Sequence, residues 1–268
     1  MRTIVAALML AGLIAASPVR AQEAQNQPQG QAQQGAADDM AVCDVPAYLT
    51  STDDRIAKTA EAIKTQRKLD ILVIGSGSSA LPGPDGAASA YPARLQESLR
   101  KRLDGITVNV ATELLMRQTA EQVAESVDKI VAARKPVLVV WQTGTSDAIR
   151  GVNPDDFRVA VDDGVNALKA SGVDIILLNP QYSPRSEALL SMSAYLDTMR
   201  AVAQQHEVPL FDRFAIMRHW QDAGDFDLLD ASKGLGLAKR VHECLGRALA
   251  LMIIESSGIK PGDFKVQR

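Results

Sequence analysis

Residues 71–83 read ILVIGSGSSALPG. Four apolar residues, Ile71 to Ile74, end in Gly75, and a cluster of small hydroxyl residues follows: Ser76, Ser78 and Ser79. A continuous apolar run closed by glycine reads as a strand buried on both faces. A strand that delivers a serine onto a tight turn is also how hydrolase folds present a nucleophile. The stretch is not a nucleotide motif. It lacks G-x-G-x-x-G spacing and has no Gly-Lys-Ser/Thr, so neither a dinucleotide fingerprint nor a phosphate loop is met. It is not a G-x-S-x-G elbow either.

Outward from this strand the pattern alternates. Apolar runs at 69–75, 106–110, 136–142 (PVLVVWQ), 173–178 (VDIILL) and 208–212 read as strands. Amphipathic periodicity at 53–66, 91–103, 119–134, 155–171, 186–205 and 239–256 predicts helices between and around them. Pro92 falls in the first turn of its helix, where a missing N–H costs little. This alternation predicts an α/β fold, a three-layer sandwich around a five-stranded, mainly parallel sheet of the flavodoxin-like kind. Ligands on such sheets sit beyond the carboxyl ends of the strands. The segments there are 75–79, 111–117, 143–147, 179–184 and 224–238. No internal repeat and no second domain is visible.

The N-terminus is of another kind. Arg2 precedes an apolar stretch at 4–16, and SPVRAQ follows, with Val19 and Ala21 at the −3 and −1 positions of a cut before Gln22. Residues 1–21 read as a cleavable signal peptide, the apolar stretch being too short for a comfortable membrane span, with an uncleaved anchor as the alternative. Residues 22–41 are Gln-, Ala- and Gly-rich and read as a disordered linker. Residues 42–268 read as the folded domain, 46% of the whole chain being hydrophobic, enough for a sizeable core. Export places the protein in the periplasm or outside the cell. The net charge of −3 becomes two units more negative once Arg2 and Arg20 leave with the peptide. Basic residues cluster nowhere, so a nucleic-acid partner is not expected. Cys43 and Cys244 are an even pair in an exported chain and read as a disulfide. Two cysteines and three scattered histidines show no metal-ligand spacing, and no cofactor is implied.

The wording of the strand ends resembles the SGNH (GDSL) hydrolase family over residues 43–254. ILVIGSGSSA resembles its first block, a strand leading into Gly-Asp-Ser. YPARLQESLRKRL (91–103) resembles the helix that follows. VVWQTGTSDA (139–148) resembles the third block, which carries Gly-x-Asn-Asp. LNPQYSP (178–184) resembles a loop of exported members. KGLGLAKRVHECLGRALA (233–250) resembles the fifth block, Asp-x-x-His and the last helix. The resemblance implies acyl-ester hydrolysis by a serine. A histidine acts as base, an aspartate orients it, and a glycine N–H and an asparagine amide complete an oxyanion hole.

Carried over position by position, the signature residues are replaced. The nucleophile position falls on Gly77. The asparagine position falls on Ser146 in Gly144-Thr145-Ser146-Asp147. The oxyanion glycine falls among 114–117, so that Arg117 enters the pocket. The aspartate and histidine positions fall on Lys233 and Gly236. Arg117 and Lys233 would make the pocket cationic and suited to an anionic ligand. Asp147 is expected to cap the helix after the third strand, and Tyr182 to line the pocket. On these residues the chain reads as a catalytically degenerate relative that binds a small acylated or anionic ligand, or an envelope protein. The alternative is an active carboxylester hydrolase or deacetylase using a displaced serine, Ser76 or Ser78, with His242 as base. A structural envelope protein attached by its linker is a third reading.

Overall fold

The apolar run fills the second half of an interior strand of the sheet. Ile71, Leu72, Val73 and Ile74 are each at most 2% exposed, because the strand they form has another strand on either side and helices above and below. The computed structural model describes residues 43–230 and 234–260, with the side chain of Ser186 left out. The expectations for the signal peptide, the linker and Lys233 lie outside the described residues.

A short turn (Ala47–Leu49) leads to α1 (Ala57–Glu61), β1 (Lys68–Gly75), α2 (Gly86–Ser89), α3 (Tyr91–Arg102), β2 (Thr107–Leu114), α4 (Ala120–Ala124), α5 (Val127–Arg134) and β3 (Leu138–Gln142). The chain continues through α6 (Thr145–Arg150), α7 (Pro154–Ala170), β4 (Asp174–Leu178), α8 (Pro184–Leu189), α9 (Ser193–His206), β5 (Leu210–Phe211), α10 (Arg213–Ala223) and α11 (Gly234–Ser257). The five strands lie in the order β2-β1-β3-β4-β5, and every ladder is parallel. All carboxyl ends therefore open on one edge. The first crossing of strand order lies between β1 and β3, where ligands of such sheets gather. Helix α11 packs on α3 and α1, while α7 packs on α4, α5 and α9. The close seating of α11 on α3 depends on Gly246: a Cβ there would come within 2.7 Å of the Leu95 backbone nitrogen.

Several boundaries differ from the sequence reading. The helix expected at 53–66 begins at Ala57 and widens into a π turn over Ala62–Gln66. The helix expected at 119–134 is two helices. Ser126 leaves the helical conformation, at φ −124°, and its hydroxyl bonds back to the Gln122 and Val123 carbonyls, an alternative to the helix ladder that serine offers readily. The 186–205 helix is likewise split into α8 and α9, β2 runs on to Leu114, and the last helix starts as early as Gly234. Gly236 thus lies in the first turn of α11 rather than in a loop.

Candidate functional site

The turn after β1 is built by its own backbone. Ser76 is extended, and the Ser79 N–H donates to the Ser76 carbonyl at 2.9 Å to close one tight turn over Gly77–Ser79. After β3 the chain passes Thr143 and Gly144, whose φ of 94° favours glycine, into α6. Between these two strand ends opens a small cleft. Ser76, Gln118, Gln142, Thr145 and Ser146 line it, with Leu115 and Val123 as its apolar wall. No lining residue carries a charge.

Gln142 organises the serines. Its Nε2 donates to Ser76 Oγ at 2.9 Å and to Ser78 Oγ at 2.8 Å. Its Oε1 accepts from Ser79 Oγ. Ser79 spends its proton on that carbonyl, so the Tyr91 hydroxyl, 3.0 Å away, donates to Ser79. Behind the turn stands Arg213, 1% exposed. Its Nη1 donates to the Ser78 carbonyl at 3.3 Å and its Nη2 to Ser78 Oγ at 3.2 Å, while Nε has no partner. Burial pulls the guanidinium down to about 10, which leaves it charged at neutral pH. Burial raises the Tyr91 phenol, against the pull of the Arg213 charge and the Ser79 hydrogen bond, so the phenol stays neutral.

His242 does not join the serines. It is 7% exposed, and its Nδ1 accepts the Tyr91 N–H at the start of α3 at 3.0 Å. The neutral ring therefore carries its proton on Nε2. Burial first, and the Arg213 charge second, lower it to about 4. A histidine held neutral is protonated more readily in the unfolded chain than in the folded one. Its contribution to stability is complete above the ordinary value of 6.5 and is lost as the pH falls toward about 4, a loss of about 3 kcal/mol. His242→Asn, which keeps an acceptor for the Tyr91 N–H, should flatten that part of the acid profile in urea titrations. An NMR titration placing the ring near its ordinary value would overturn this assignment.

The other residues singled out by the sequence fall variously. Ser76, Gly144 and Ser146 line the cleft. Gly77 is exposed on the turn beside it, its missing side chain facing only Met116, whose Cε would stand 3.2 Å from a Cβ. Gly236 is exposed, with nothing within 4 Å of the place of a Cβ. Arg117 does not enter the cleft. It is exposed, in a left-handed conformation at φ 62°, and its carbonyl accepts from Arg150. Tyr182 is also outside the cleft, buried edge-on against Phe214 at 5.2 Å between ring centres. Asp147, 1% exposed, caps α4 rather than its own helix: its Oδ1 accepts the Ala120 N–H at 2.9 Å. Its Oδ2 has no partner, and burial raises its pKa. Sequence reasoning missed Gln142, Tyr91 and Arg213. Cys43 and Cys244 are joined in a disulfide. Among the described residues no cluster of histidine, cysteine or acidic residues is placed to hold a metal ion, and no helix is long and apolar enough to cross a membrane.

The sequence model of the non-GDSL lipase-like family matches residues 42–259. Esterase TesA of Pseudomonas aeruginosa is 27% identical over 148 residues, 54% of this chain and 70% of that protein. Among solved structures, that of TesA superposes with a TM-score of 0.55 at 24% identity, covering 68% of this chain and 99% of the other. A variant of Axe2, an acetyl-xylooligosaccharide esterase from Geobacillus, gives 0.57 at 16% identity, covering 69% and 94%. At these identities the two structures speak for the fold. With its strand order, its serine turn and the match over most of its length, the chain belongs to the non-GDSL lipase-like family, among the SGNH/GDSL hydrolases its strand ends resemble.

Proposed function

We propose that this chain is an exported, non-hydrolytic member of its family, which holds a small ligand in the cleft between β1 and β3. The observation that supports this reading is the hydrogen bonding of the serine turn. Ser76 and Ser78 accept from Gln142, and Ser78 from Arg213 as well. A hydroxyl becomes a useful nucleophile when a base takes its proton. Here both neighbours are donors, and one of them is a cation. His242, the notional base, has its Nδ1 occupied by the Tyr91 N–H. General-base assistance contributes roughly 100- to 10,000-fold to such reactions, and nothing bonded to these serines supplies it. Export rests on the leader-like residues 1–21 and agrees with the Cys43–Cys244 bond, since disulfides persist in oxidising compartments.

The second reading is an active carboxylester hydrolase using Ser76 or Ser78, favoured by the family and by the 27% identity to an esterase. Assays of the purified chain with p-nitrophenyl acetate and butyrate, beside Ser76→Ala, Ser78→Ala and His242→Ala, separate the two. The expected result is the same background rate in all four proteins. Turnover well above background that disappears in one of the variants overturns the non-hydrolytic reading.

A further inference from the structure

Arg213 is a buried cation without a counter-charge. No carboxylate of the described residues pairs with it; its hydrogen-bond partners are the carbonyl and hydroxyl of Ser78, and its Nε is left unpartnered. The titratable groups that feel its charge are Tyr91 and His242, both neutral for the reasons given above. Burying an isolated charge is costly unless something of opposite sign or several dipoles answer it. The dipoles that answer it form a chain leading outward. Arg213 donates to Ser78 Oγ, and Gln142 donates to the same oxygen and to Ser76 Oγ.

The protons can then be counted. A hydroxyl has one donor and two acceptor sites. Both acceptor sites of Ser78 Oγ are filled from Gln142 and Arg213, and one of Ser76 Oγ is filled from Gln142. Neither serine's own proton meets an acceptor among the described residues. Ser76 lines the cleft, and so does Thr145, whose Oγ1 is buried without any partner. The wall therefore offers unspent hydroxyl protons, polarised by a fixed cation behind them, and holds no carboxylate. Hydrogen bonds in which one side is ionised are about twice as strong as neutral ones, so an arriving anion gains from every one of these donors.

We infer that the cleft between β1 and β3 binds the carboxylate of a small organic acid, received by the hydroxyls of Ser76 and Thr145 and stabilised through Ser78 by the buried guanidinium of Arg213. A carboxylate carries the single charge that one guanidinium answers. Leu115 and Val123 give its carbon chain an apolar wall. This inference rests on the non-hydrolytic reading and adds the ligand class to it.

The test is calorimetric titration of the whole chain with sodium butyrate, with butyramide and sodium sulfate as companions, at ionic strength held constant with sodium chloride. Butyrate should bind, and butyramide and sulfate should bind at least roughly tenfold more weakly. Arg213→Met should weaken butyrate roughly ten- to a hundredfold. Ser76→Ala, a change confined to the cleft wall, should weaken it in the same direction and covers the case in which the arginine variant does not fold. Butyramide or sulfate binding as tightly as butyrate, or butyrate binding unchanged in a folded variant, overturns the inference. The same preparation is assayed with p-nitrophenyl butyrate. No turnover and no butyrate binding would remove the carboxylate assignment and leave the non-hydrolytic reading standing. Turnover together with arginine-dependent butyrate binding would do the reverse, with butyrate then bound as the product acid.

Discussion

A chain carrying Gly77→Ser, Lys233→Asp and Gly236→His together should hydrolyse short aryl esters at least ~100-fold faster than the unaltered chain. The three positions are those on which the resemblance places nucleophile, orienting acid and base. Two of them have room for the new side chains. A Cβ at Gly77 meets only the Met116 Cε at 3.2 Å and Sδ at 3.9 Å, the tip of an unbranched side chain that repacks easily. A Cβ at Gly236 meets nothing within 4 Å. The Gly77→Ser change alone would supply a hydroxyl without a base and should stay at the background rate. The Gly236→His change alone would supply a base without its nucleophile and should do the same. Residues acting as one unit lose almost everything when any member is missing, so the effect should appear only in combination. It should fall well short of an evolved esterase, because an error of about 1 Å in placement already costs on the order of 100-fold, and Ser146 offers a shorter donor than an asparagine amide. The measurement is the p-nitrophenyl acetate rate of the triple variant against each single variant, with thermal melts to confirm folding. A folded triple variant at the background rate would overturn the assignment of positions 77, 233 and 236.

How far the sequence carries to this point depends on which interactions leave a local mark. Strands β1, β3 and β4 are covered on both faces, so burial alone writes them as unbroken apolar runs, and their parallel order follows from the helices between them. Strand β5 was also expected, at 208–212, and forms over Leu210–Phe211, whereas the breaks in the helices are set by particular contacts such as Ser126 turning back on its own helix. These leave no periodic signal. The cleft was legible as a place, since Ser76 and Ser146 were expected at strand ends and do line it. Its electrostatics were not. Cations were expected from Arg117, which sits exposed on a left-handed turn, and from Lys233, which lies outside the described residues. The buried cation behind the serine turn is Arg213, which opens a helix, Arg213–Ala223, that was not among those expected from the sequence. Its burial arises only when α10 and the serine turn are brought together from residues 135 apart. Gln142 did carry a signal: it is the one polar residue ending the apolar run VLVVWQ, and a polar group at the buried end of a strand needs partners.

Removing the Cys43–Cys244 bond should lower the free energy of unfolding by as much as about 5 kcal/mol in the chain-entropy account. In a domain of this size that is a fall of roughly 10–20 °C in Tm. The size of the effect follows from where the bond lies. Its ends are 201 residues apart in sequence, and all five strands fall inside the loop it closes. The unfolded chain therefore loses more freedom to this cross-link than it would to a local one. The folded state should change little, because the segment after Cys43 has other attachments. Trp220 Nε1 donates to the Asp44 carbonyl at 2.9 Å. The Arg55 guanidinium donates to the Glu255 carbonyl at 3.0 Å and the Ile56 N–H to the Ser256 carbonyl at 3.3 Å. The two effects can be told apart by experiment. If the bond acts through the unfolded state, the Cys43→Ser/Cys244→Ser variant should keep its circular dichroism spectrum while its Tm falls, and its urea m-value should rise as the unfolded chain expands. If the bond merely pins the N-terminal segment, global Tm should stay within a few degrees of the unaltered protein while hydrogen exchange quickens over residues 43–56 alone. That outcome would overturn the prediction. Alkylation of protein recovered without reductant supplies the chemical control: two reactive thiols would mean that the bond does not form in the cell, and that an oxidising destination must be given up along with it.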